Sequence, residues 1–117
     1  MSVKALVKKT GETALISFDG TVDYETTEPL KKNIKKLVEK GDVKRIVFDM
    51  KDLNLIGSQG IGPFVNTMKE LNEVVEVAPK YCNMKSEWKK LFQAFAESEE
   101  TFDIYDSEEK AIKSFDN

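Results

Sequence analysis

Apolar residues change their spacing several times along this chain, and each change marks a new element. Val3–Lys9 and Thr13–Asp19 alternate or run apolar around Thr10-Gly11-Glu12, which predicts a β-hairpin. Beyond Gly20-Thr21-Val22-Asp23 the spacing becomes helical. Leu30, Ile34, Leu37 and Val38 share one face, Pro29 suits an early position, and Gly41 is a good stop. Val43–Met50 reads as a central buried strand. Ile61, Phe64, Val65, Met68 and Leu71 then predict a second helix running to about Asn72. Val74-Val75-Glu76-Val77-Ala78 reads as a further strand, ended by Pro79. Trp88, Leu91, Phe92 and Phe95 are spaced for burial on a third helix, and Phe102-Asp103-Ile104-Tyr105 reads as a short strand. Ser107 caps a last helix whose first turn holds Glu108 and Glu109 and whose inward positions are Ala111, Ile112 and Phe115. Lys110 stands where a reciprocal capping box needs Glu or Gln. Strands alternating with helices after a hairpin predict an α/β fold: a single domain over residues 1–117, with a mixed sheet of four or five strands and four helices packed on it.

One junction stands out. Leu53-Asn54-Leu55-Ile56-Gly57-Ser58-Gln59-Gly60-Ile61-Gly62-Pro63 sets a single serine among three glycines where strand spacing gives way to helical spacing. Proline is tolerated in a first turn, so Pro63 places the helix start near Gln59 or Gly60, with Ser58 exposed at its mouth. Unpaired N–H groups and the positive dipole end favour an oxygen there, or a phosphate if one is attached. A serine in this setting is either a helix cap or an accessible modification site, and the spacing alone permits both.

Composition narrows the functional classes. The chain has 117 residues, 33% of them charged and 40% hydrophobic, an ordinary composition for one domain. A net charge of −3 and the lack of a continuous basic stripe argue against nucleic acid. Lys31, Lys32, Lys35 and Lys36 lie opposite the apolar positions of their helix and form its solvated face. No apolar run is long enough to span a bilayer, and Met1–Lys9 has no signal-peptide pattern. Cys82 is the only cysteine, which excludes an internal disulfide and suits a reducing cytoplasm. The chain has no histidine, so a histidine base, a Cys–His nucleophile and a histidine metal ligand are excluded. Asp19, Asp23, Asp49 and Asp52 read as turn and cap residues, and Gly57–Gly62 lacks the Lys-Ser/Thr pair of a nucleotide loop. No catalytic residue, metal site or cofactor is expected.

The colinear set of segments resembles the STAS domain, and within it the small bacterial anti-sigma-factor antagonists. Asp19-Gly20-Thr21-Val22-Asp23 resembles the family's Gly-x-hydrophobic-Asp corner. Arg45–Leu53 is similar to the strand entering its signature loop, and Ile56–Gly62 to its Asp-Ser-Ser/Thr-Gly-Leu-Gly motif. Phe102–Ala111 resembles its usual ending. The resemblance implies a non-catalytic partner switch. In that family the matching serine is phosphorylated by an anti-sigma factor with serine kinase activity, a serine phosphatase reverses the change, and the unmodified antagonist frees the sigma factor. Ser58 takes the phosphorylation role, with Asp23, Gly57, Gln59, Gly60, Ile61 and Gly62 forming the partner-binding surface. Two positions depart from the motif: Gly57 stands where the family usually has Asp, and Gln59 where it has Ser or Thr. The alternative is a STAS scaffold or subunit of a larger regulatory or transport complex that is never phosphorylated.

Overall fold

The hairpin forms as its turn residues predict. β1 (Lys4–Thr10) and β2 (Thr13–Thr21) pair antiparallel, from Lys4 opposite Asp19 to Thr10 opposite Thr13. Gly11 turns the chain at φ +60°, a conformation that glycine enters without a Cβ penalty. The computed structural model describes residues 3–22, 24–54, 61–96 and 102–116. Beyond the hairpin the order is α1 (Tyr24–Glu39), β3 (Arg45–Asn54), α2 (Ile61–Val74), β4 (Lys80–Cys82), α3 (Ser86–Phe95), β5 (Asp103–Tyr105) and α4 (Glu108–Ser114). The five strands lie in sequence order in one mixed sheet, and every pair after the hairpin is parallel.

That order decides where the helices go. Parallel crossovers are right-handed, and here each one advances in the same direction across the sheet, which sends α1, α2 and α3 to one face. On that face Ile16, Phe18, Phe48 and Met50 meet Leu30, Ile34, Phe64, Val65, Trp88 and Phe92 in the main core. Phe18 stacks on Phe48 at 5.5 Å, Phe48 on Tyr81 at 5.3 Å, and Phe64 leans on Trp88 at 5.8 Å, so aromatic contacts run from the sheet into α2 and α3. The opposite face carries α4, whose Ala111 covers Val47 and Cys82. Burial pushes the Cys82 thiol up to about 12, with Asp49 and Glu108 adding to the rise, so it stays protonated at neutral pH. Ser107 caps α4 by accepting from the Lys110 N–H at 3.2 Å.

Several expectations need correction. Val74 closes α2, Val77 is exposed, and the strand predicted at Val74–Ala78 lies instead beyond Pro79, at Lys80–Cys82. Proline has no N–H to donate, and the ladder to Val47–Asp49 starts at Lys80. Pro29 sits inside α1, later than the first turn. Phe95 and Ile112, expected inward, are both 39% exposed. The central strand also runs on to Asn54, because a bulge between Ser17 and Asp19 pairs them with Asp49 and Asp52. The extra residue breaks the alternation and turns Leu53 into the core together with Met50.

Candidate functional site

β2, β3 and β4 are parallel, so their carboxyl ends reach one edge of the sheet, the usual location of sites in open α/β folds. Thr21 pairs with Asn54, and the Val22 N–H donates to the Asn54 carbonyl at 3.4 Å. The chain therefore leaves β2 toward Asp23 and leaves β3 toward residues 55–60 from adjacent positions. Trp88 fixes this end of β3 from the core, donating its indole N–H to the Leu53 carbonyl at 3.3 Å.

Asp23, Gly57, Ser58, Gln59 and Gly60 lie outside the described residues, as does the side chain of Ile61, which opens α2. Gly62, next in α2, is described. A Cβ built on it would stand 3.7 Å from Phe95 Cζ, an ordinary contact, so neither space nor backbone requires glycine there. Gly62→Ala is accordingly expected to stabilise the fold by about 0.5–1 kcal/mol, as glycine-to-alanine changes inside helices do. Urea melts of the two proteins check this, and a loss of stability would mean that Phe95 packs more tightly than these distances say.

Around Gly62 the surface has two sides. Toward α3 stands the exposed ring of Phe95. Toward α1, a groove of about 460 Å³ runs between Thr27, Glu28, Gly62, Asn66 and Glu70. Lys31 of α1 pairs with Glu70 of α2 across this groove, and that hydrogen bond holds the Lys31 ammonium above its usual range. The first turn of α2 holds no acidic side chain, so nothing of its own offsets the positive end of the helix dipole. Sequence reasoning missed Phe95 because its spacing matched the buried face of α3. It also passed over Thr27, whose burial at 3% follows from standing three and seven residues before Leu30 and Ile34 on the inner stripe of α1.

A family model described as the STAS domain matches residues 4–111. The chain belongs to the STAS-domain family. Among curated relatives, the anti-sigma F factor antagonist of Lysinibacillus sphaericus is 29% identical over 84 residues, 72% of this chain and 71% of that protein. The Bacillus cell fate determinant SpoIIAA, in its phosphorylated form, has a TM-score of 0.67 at 26% identity, covering 96% of this chain and 99% of that one. Its unphosphorylated form scores 0.69 at the same 26% identity, covering 97% and 99%. An anti-sigma factor antagonist from Mycobacterium paratuberculosis scores 0.76 at 19% identity, with 99% and 96% covered, a likeness of fold. Among the described residues no helix is long and apolar enough to cross a membrane, and no cluster of potential metal ligands occurs.

Proposed function

We propose that this STAS chain is a non-catalytic, cytoplasmic anti-sigma-factor antagonist that switches partners through phosphorylation at Ser58. The observation that carries the proposal is the match to the Lysinibacillus antagonist over 84 residues. The geometry supports it. The chain leaves β2 and β3 side by side, which brings the attachment points of Asp23 and of residues 55–60 to one edge. The partner is an anti-sigma factor with serine kinase activity, and a serine phosphatase resets the switch. Binding uses Asp23, Gly57, Gln59, Gly60, Ile61 and Gly62, of which the glycines admit a partner's backbone closely and Ile61 adds an apolar contact. The chain resembles the phosphorylated and unphosphorylated forms of SpoIIAA almost equally, at TM-scores of 0.67 and 0.69. That equality supports a switch made of surface charge rather than refolding.

The second reading is a STAS scaffold or complex subunit that is never phosphorylated, and Gly57 in the place of the family's Asp favours it. Incubation with ATP, magnesium and a serine-kinase anti-sigma factor from the same cell decides between them. Intact-mass measurement and peptide mapping are expected to place one phosphoryl group on Ser58. A stable complex that leaves the mass unchanged supports the scaffold reading. The absence of both a complex and phosphoryl transfer refutes the antagonist role.

A further inference from the structure

β1 is the first strand of the sheet, and among the described residues its outer edge pairs with no other strand. About half of the backbone N–H and C=O groups of this seven-residue strand point away from β2 and line an open edge, a template for another strand. Leu6 and Val7 on this strand are 62% and 49% exposed. The register puts them on opposite faces. Ala5 and Val7 pair with the buried Phe18 and Ile16, and so face α1, whereas Lys4, Leu6 and Lys8 face the other way.

On the α1 side a groove of about 680 Å³ opens between β1 and α1, with Ala5, Val7, Leu30, Ile34 and Leu37 along it. Every charged residue lining it is a lysine: Lys4, Lys36 and Lys40. The whole chain carries a net charge of −3, yet this edge is locally positive, with Lys36 and Lys40 on the groove side and Lys4 and Lys8 on the other face of β1. Acidic neighbours supply part of the balance, since Lys4 stands opposite Asp19 and Lys9 pairs with Asp42 at 3.7 Å. Lys36 lies in the last turn of α1 and Lys40 just past its end, where the helix reaches the groove.

We infer that the free edge of β1 and the adjoining face of α1 receive an extended segment of another protein, with apolar residues alternating with acidic ones. Three arguments select this occupant. A strand added at about 4.8 Å satisfies the open backbone groups of β1, whereas a helix laid over them would remove their water and pair none of them. Alternate residues of such a strand point the same way, so one set fills the apolar groove beside Val7 and the other meets Lys4 and Lys8. A second copy fits poorly, because pairing two β1 strands would bring lysines of both copies onto one short ribbon. None of the residues lining this groove belongs to α2.

The probe is an acetylated, amidated heptapeptide alternating valine with glutamate, titrated into the isotope-labelled chain and followed by amide resonances. Saturable shifts are expected over Lys4–Thr10 and along α1. The peptide with lysine replacing glutamate is expected to bind at least about tenfold more weakly. The double variant Lys4→Glu with Lys8→Glu, on exposed positions that leave the core intact, is expected to reverse that preference. Equal binding of both peptides overturns the inference, as does the absence of saturable shifts at millimolar peptide. Shifts centred on Gly62–Asn66 overturn it too, because they place the peptide at the other surface. Concentration-dependent dimerisation that protects the β1 amides would make a second copy the occupant and overturn it as well.

Discussion

Trp88→Ala is expected to destabilise the fold by about 3–5 kcal/mol, the range for removing a large aromatic from a packed core. Trp88 heads the fully buried side chains, at 0% exposure, and its ring meets Phe64 at 5.8 Å and Phe92 at 6.2 Å. Domains of this kind hold about 5–15 kcal/mol in total, so the variant would stand near the unfolding threshold at room temperature. Trp88→Phe separates packing from hydrogen bonding. It keeps most of the apolar area but leaves the Leu53 carbonyl without the indole donor, a loss expected to cost about 1–3 kcal/mol. Urea melts of the three proteins give these differences directly. A Trp88→Ala cost below about 1 kcal/mol would contradict the packing of α3 against β3 and α2. Because Leu53 is the last buried residue described before the segment carrying Ser58, Trp88→Phe also tests whether this anchor positions the proposed switch.

Ser58→Asp is expected to weaken partner binding by about thirtyfold or more, some 2 kcal/mol, by placing a charge where a neutral hydroxyl is accommodated. Phosphate should act more strongly, since it brings about −1.5 to −2 charges and three acceptor oxygens. Ser58→Ala should bind like the unmodified protein, because a small neutral side chain resembles that state. Neither acidic form should unfold the chain. Ser58 precedes the first residue of α2 by three positions, and that helix has no acidic side chain in its first turn to repel an anion. If the serine were only a cap, the pattern would invert. Alanine would then cost about 1 kcal/mol of stability, and aspartate, itself a good cap, would leave folding and binding intact. Titration calorimetry with the anti-sigma factor and melting curves on both variants distinguish these patterns.

Much of this architecture was legible from local signals. Thr10-Gly11-Glu12 placed the hairpin because the turn needs a residue at positive φ, and Ser107 marked the start of α4 through its own hydrogen bond. Leu30 and Ile34 gave the inner face of α1 because a helix on a sheet shows one stripe to it. The errors have a common source in contacts between distant residues. Val74–Ala78 has the composition of a strand, but the strand that forms is three residues long and owes its place to pairing with Val47–Asp49. No period can show in three residues. The extension of β3 past Met50 depends on a bulge opposite β2, and the exposure of Phe95 on where α3 ends relative to Gly62. At the candidate site Gly62 was legible and lies beside the surface described, whereas the residues from Gly57 to Gly60 fall outside the described residues.

The strict sequence order of the sheet has a consequence for how the chain acquires its structure. Each strand pairs only with its neighbours in sequence, so none must be inserted between two already in place. The hairpin is the cheapest part to close, and each later strand docks on the edge left by its predecessor once one helix has folded over. A chain emerging amino end first from a ribosome meets these partners in the order they are needed, adding one strand–helix pair at a time. The growing edge moves steadily from β2 toward β5, while among the described residues no later strand pairs with the outer edge of β1. Its lysines therefore guard, throughout synthesis, an edge that no later strand among the described residues covers.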